Sequence, residues 1–154
     1  MAYPSGISPL MAYQAQPANP VAPGSTSAYT MAGLGIVVSP NTTGKVRVTL
    51  DAHILAASAT TVDIGLNLQL SYGTGNPPAN GAALTGTQIG AIRTYTHSIA
   101  PTAVGDVHYP LSMHAIISGL TPGTLYWIDV AQESVTTISD CSIGGINVSI
   151  EELF

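Results

Sequence analysis

The sequence predicts an all-β domain, a β-sandwich of jelly-roll or Greek-key type that follows an extended N-terminal arm. Three observations predict it. Two long runs alternate apolar and polar residues with a period of two. No segment of ten or more residues shows the 3.6 period of an amphipathic helix. Clusters of Gly, Pro, Asn and Ser separate about seven short apolar runs, which is the spacing of sandwich strands and turns.

Residues 1–28 come first and differ from the rest. Pro4, Pro9, Pro17, Pro20 and Pro23 punctuate them. Proline fixes φ and removes a donor, so neither a helix nor a central strand fits, and an extended arm does. Tyr3, Ile7, Leu10, Met11 and Tyr13 are spaced apolar groups along it, available to dock on a neighbour. Fully extended, the arm reaches on the order of 90 Å at ~3.3 Å per residue. The sandwich is expected over residues 29–154.

Within it, Val46, Val48, Leu50, Ala52 and Ile54 alternate with Lys45, Arg47, Thr49, Asp51 and His53. That pattern gives one buried and one wet face. Val62, Ile64, Leu66, Leu68, Leu70 and Tyr72 alternate with Asp63, Gly65, Asn67, Gln69 and Ser71. On a helix these apolar groups would wrap all round the axis. Residues 73–81, GTGNPPANG, form a loop. Strands follow at about 89–98 and 107–117, with Pro110 pointing to an edge or bulge in the second. The last two cover about 124–133 and 143–152. In the final one Ile146, Val148 and Ile150 alternate with Asn147, Ser149 and Glu151.

Composition narrows the function. At 154 residues the chain buries a substantial core. Its hydrophobic fraction is 45%, which argues against disorder, yet only 7% of residues are charged against a typical ~25%. No charged side chain precedes Lys45. Either Thr, Ser, Asn and Gly cover the surface or neighbouring subunits do. The net charge is −5, and the only cations are Lys45, Arg47 and Arg93, so no phosphate-binding cluster exists for nucleic acid or an anionic membrane. Cys141 is the single cysteine, which excludes an intrachain disulfide scaffold. The N-terminus lacks the basic and apolar regions of a signal peptide, so synthesis in a cytoplasm is expected.

The residues for chemistry are sparse. His53, His97, His108 and His114 lack the short spacings of a zinc site, and polar strand positions explain them. No Gly-x-Ser-x-Gly elbow is present. The eight carboxylates are too scattered to nominate an acid–base pair, and Glu151 and Glu152 read as an exposed terminal pair. Gly73-x-Gly75 meets Pro78 where a phosphate loop needs a third glycine. Asn41-Thr42-Thr43 and Asn147-Val148-Ser149 match the glycosylation pattern by chance. No catalytic residue, metal or cofactor is expected.

Two resemblances add to this. Leu120-Thr121-Pro122-Gly123-Thr124-Leu125-Tyr126 resembles the tyrosine corner of fibronectin type III domains. It implies that Pro122 and Gly123 make the turn and that the Tyr126 hydroxyl bonds back to backbone at a Greek-key crossover. The chain departs from those domains in lacking an early tryptophan, since Trp127 is its only one. The C-terminal third is similar to the ends of small β-sandwich domains of tailed-phage virion proteins. It runs TPGTLYWIDVAQ, a Ser/Thr-rich turn, a cysteine-containing strand and INVSIEEL. This resemblance implies a head decoration or cementing protein, assembled as a homotrimer. Its partner would be the major capsid protein or another virion protein, and its place the virion. The alternative is a receptor-binding or fibre-tip module with its site on loops such as 73–88 beside Tyr72, or around His97 and His108. A sugar-cleaving sandwich would need paired carboxylates in a cleft.

Overall fold

The structure, a computed structural model, describes residues 12–23, 28–56, 63–98, 107–135 and 141–154. Among the described residues nine strands follow in order: β1 (Ala12–Ala15), β2 (Thr30–Met31), β3 (Ile36–Val38), β4 (Val46–Ala56), β5 (Asp63–Thr74), β6 (Thr87–Ser98), β7 (Val107–Ile117), β8 (Tyr126–Ser134) and β9 (Cys141–Glu152). They form two antiparallel sheets. One has the order β1-β9-β4-β7 and the other β2-β8-β5-β6, with β3 also paired to β8. The fold is the expected all-β sandwich. Pairing is nested: β1 meets β9, β2 and β3 meet β8, β4 meets β7, and β5 meets β6.

The period-two runs supply the core between the sheets. Val46, Val48, Leu50 and Ile54 of β4 meet Leu66, Leu68 and Leu70 of β5, all nearly devoid of solvent contact. Burying each such side chain contributes about 1.5–3 kcal/mol before entropy is counted. Pro110 lies on β7, which ends its sheet, so the missing N–H falls on an edge strand.

A glycine bulge decides the last strand. Between the Asp51–Asn147 and His53–Gly144 pairs, one residue of β4, Ala52, faces two of β9, Gly145 and Ile146. Gly145 takes φ +58° there. The extra residue changes parity, so Ile143 and Ile146 both reach the core despite lying three apart. A second irregularity lies in β6. There Leu68–Leu70 of β5 spans Arg93–Ile89, and Gly90 has φ +70°.

β8 is buried on both faces, a finding the alternating pattern did not announce. Tyr126, Ile128 and Val130 face the core, while Trp127 and Ala131 form a second cluster with Met31 on the outer side. Two glycines make room for the indole. A Cβ on Gly73 would lie 2.5 Å from Trp127 Cζ2, and one on Gly86 would lie 2.3 Å from Cη2. Trp127 Nε1 donates to the Thr74 carbonyl at 3.1 Å. The strand thus continues through Gly73 to Thr74, past the expected start of the loop. The same outer face buries Gln69 and Ser71 of β5, positions the alternation assigned to a wet face.

Residues 12–23 differ from a free arm. Ala12–Ala15 pairs with Val148–Glu151 as an edge strand, and Tyr13 packs against the chain's own core. Pro20 and Pro23 are buried, and Gln132 Nε2 donates to the Val21 carbonyl at 2.7 Å. An edge strand donates on one side only, which is how a chain restricted by its prolines still joins a sheet here. Tyr3, Ile7, Leu10 and Met11 lie outside the described residues.

The C-terminal carboxylates also depart from expectation. Glu151 is half-exposed and pairs with Arg47 at 2.5 Å. Glu152 is buried, and its carboxylate accepts from the N–H groups of Asn41 (2.9 Å), Thr42 (2.7 Å), Thr43 and Gly44 (3.3 Å). Four converging amides form an anion-binding concavity, and the side chain fills it.

Two predictions follow from this packing. Glu152→Gln leaves one acceptor oxygen among four donors. It is expected to cost about 2 kcal/mol and lower the melting midpoint by roughly 5 °C in a thermal denaturation experiment. Gly86→Ala adds a methyl against Trp127 at a φ of +83°, and should destabilise by more than about 1 kcal/mol in urea titration.

Candidate functional site

The tyrosine-corner residues lie at one end of the sandwich. Gly123 holds φ +80° in the turn before β8. Its N–H donates to the Pro40 carbonyl at 2.8 Å, and Leu120 N–H donates to Gly44 O at 2.9 Å. The Tyr126 hydroxyl accepts from Thr121 N–H at 3.0 Å, five residues upstream, and its ring lies 6.2 Å from that of Tyr72. The turn is therefore clamped to the 41–44 segment that Glu152 holds. Pro122 itself is exposed. These residues position backbone and offer no reactive group.

The other end of the core holds an apolar cavity of about 200 Å³. Ile54, Ala56, Tyr95, Tyr109, Pro110 and Cys141 are among its walls. Burial pushes the Cys141 thiol up to about 11. A thiol attacks as thiolate, so this one is nearly all protonated at neutral pH and inert. No histidine is among the described lining residues.

The second buried acid is structural too. Asp129 Oδ2 accepts from Gly33 N–H at 3.0 Å, and Oδ1 from Leu34 N–H at 3.1 Å and Val130 N–H at 2.8 Å. Burial pushes its carboxyl above the ordinary value, and the amide bonds from Leu34, Val130 and Gly33 pull the other way. This acid pins the β2–β3 connection to β8.

The histidines fall into two groups. His53 on β4 and His108 on β7 bring their rings to 4.9 Å between centroids. His114 is exposed on β7 opposite Thr49. His97 lies on β6, paired with Ile64, and its side chain is outside the described ones. Among the described residues no group of three His, Cys, Asp or Glu could hold a metal.

What remains is surface of a particular kind. β6 ends its sheet and is exposed along nearly all of 87–96, with Arg93 its one charged side chain. Ile92 and Ile116 stand exposed on β6 and β7, and Leu125, Val21 and Phe154 elsewhere. A long edge strand with one charge and no proline is a template for another chain. The 73–88 loop is less free than its composition implied. Gly81 N–H and Ala82 O bond to Met31 at 2.8 Å each, and Asn80 backbone abuts Gly33. The sequence pointed to the N-terminal arm and the loops as contact surfaces and not to this edge, because exposure along β6 depends on which strand ends the sheet.

The thiol provides a test. Cys141 in the folded protein should resist a disulfide reagent at pH 8, reacting at least a hundredfold slower than after denaturation in urea. Rapid labelling of the native protein would show an accessible thiolate and refute the inert assignment.

No protein-family model matches the chain. No curated protein matches it either. Among solved structures, it is similar to a chain in "Structure of infectious bursal disease virus Gx strain". The likeness covers 94% of this chain and 33% of that one, at 12% identity and a TM-score of 0.48. The chain therefore spans about a third of the length of that viral chain.

Proposed function

We propose that this chain is a non-enzymatic structural protein of a virus particle and works by assembling with neighbours. The observation that carries the reading is the surface. Only 7% of residues are charged, Ile92 and Ile116 stand exposed on β6 and β7, and β6 is a long, nearly uncharged edge strand. Obligate interfaces are depleted in ionic groups in this way, whereas a dispersed monomer needs charge. The nested strand pairing also fits a jelly roll, an architecture that recurs in capsid and lectin domains.

In this reading the protein is a head decoration or cementing protein of a tailed phage. It binds the major capsid protein as a homotrimer and resides in the virion. Area rather than chemistry stabilises the shell, and three linked sites raise the apparent affinity. The N-terminal segment, with Tyr3, Ile7, Leu10 and Met11, reaches a neighbouring subunit. The receptor-binding alternative would place its site on the 73–88 loop, which is tethered to β2 and Gly33, or around His97 and His108.

Native mass spectrometry of the full chain at about 10 µM tests the assembly. The expected species has three times the 15.7 kDa mass of one chain. A monomer would overturn the trimer and leave a lone binding module as the better reading.

A further inference from the structure

The outer face of the β4–β7 pair carries an arrangement that neither core packing nor the assembly reading uses. His53 and His108 sit diagonally across the strands, where Leu55 pairs with His108 and His53 pairs with Pro110. His53 is half-buried and His108 exposed. The glycine bulge of β9 forms a seat for the His53 ring. An ideal Cβ on Gly144 would lie 3.0 Å from His53 Nε2, and one on Gly145 would lie 2.7 Å from Cε1 and 2.8 Å from Nδ1. Any side chain there would displace the imidazole. The bulge is itself fixed, because Gly145 N–H donates to Asn19 Oδ1 at 2.9 Å. The two rings face each other at 4.9 Å between centroids with an interplanar angle of 44°.

We propose that His53 and His108 form a two-histidine site for a borderline divalent cation such as Zn²⁺ or Cu²⁺, with water completing the coordination. The spacing admits it. Take each nitrogen at about 2.1 Å from the metal and roughly 1.1 Å from its ring centre. With one nitrogen of each ring turned toward the ion, centroids 4.9 Å apart subtend roughly 100° there, between square-planar and tetrahedral angles. Imidazole pairs favour Zn²⁺ and Cu²⁺ over hard cations, which prefer oxygen. A bound ion would staple β4 to the edge strand β7 and leave open positions for a further ligand. The site does not depend on the particle assignment.

Isothermal titration of the full chain with Zn²⁺ alone, at neutral pH, tests it. The expected result is one site per chain with a Kd below about 100 µM. His108→Ala, at an exposed position that leaves the core intact, should weaken it at least tenfold. His53→Gln should do the same, while His114→Ala should bind as the parent does. Mg²⁺ should give no comparable heat. Equal affinity in His108→Ala and the parent would place the ion elsewhere and overturn the site. So would the lack of parent binding below about 1 mM, or equal binding of Mg²⁺.

Discussion

Glu152, a buried acid at the end of β9, ties three segments of the fold together. Its carboxylate takes up the N–H groups of residues 41–44. That turn accepts Leu120 N–H at Gly44 O, while Pro40 O accepts Gly123 N–H. The second turn is closed by the Tyr126 hydroxyl on Thr121 N–H. One buried charge thus ties the end of β9 to the turn before β4 and to the corner before β8. A buried carboxylate is costly unless several donors satisfy it, and here the backbone supplies them. The arrangement needs no cation, which suits a chain with only three.

Asp129 repeats the solution in the other sheet, against Gly33, Leu34 and Val130. Two of the eight acids therefore serve as backbone anchors, and a third, Glu151, balances Arg47 at the surface. The Arg47–Glu151 pair is half-exposed and contributes at most about 1 kcal/mol. Spending acids on anchors leaves still less charge for the outside. The low charge of this chain is thus sharper at its surface than composition alone conveys, which bears on how neighbours can approach it.

Much of the fold was legible because period-two alternation translates directly into burial. β4 and the core face of β5 follow the written pattern, and Pro110 marked an edge. The rest was hidden for physical reasons. The parity switch between Ile143 and Ile146 needs Gly145 at φ +58°, and a glycine in sequence does not declare its φ. The burial of both faces of β8 comes from Met31 and Ala82, distant in sequence, covering Trp127 and Ala131. Glu152 read as a terminal surface residue because its partners are main-chain amides 108 to 111 residues away. The Ala12–Ala15 strand was masked by flanking prolines, although Tyr13 already had the apolar character its core contact uses. The His53–His108 pair was invisible for the same reason as the bulge, since register alone brings the two rings together.

The register also separates the molecule into unlike ends. Val46 pairs with Glu152 at one end of β4, and Ala56 pairs with Cys141 at the other. Eleven residues of strand place these roughly 33 Å apart. The Glu152 end is closed by hydrogen bonds between turns, Leu120 N–H to Gly44 O and Gly123 N–H to Pro40 O. The Cys141 end has an apolar cavity, the glycine bulge and the histidine pair, beside the unpaired edges of β6 and β7. A closed end resists unfolding and an open one retains free energy to gain by contact. If this chain assembles, its chemistry of association is therefore expected along the β6–β7 side, and the Glu152 network is the rigid base from which that side is presented.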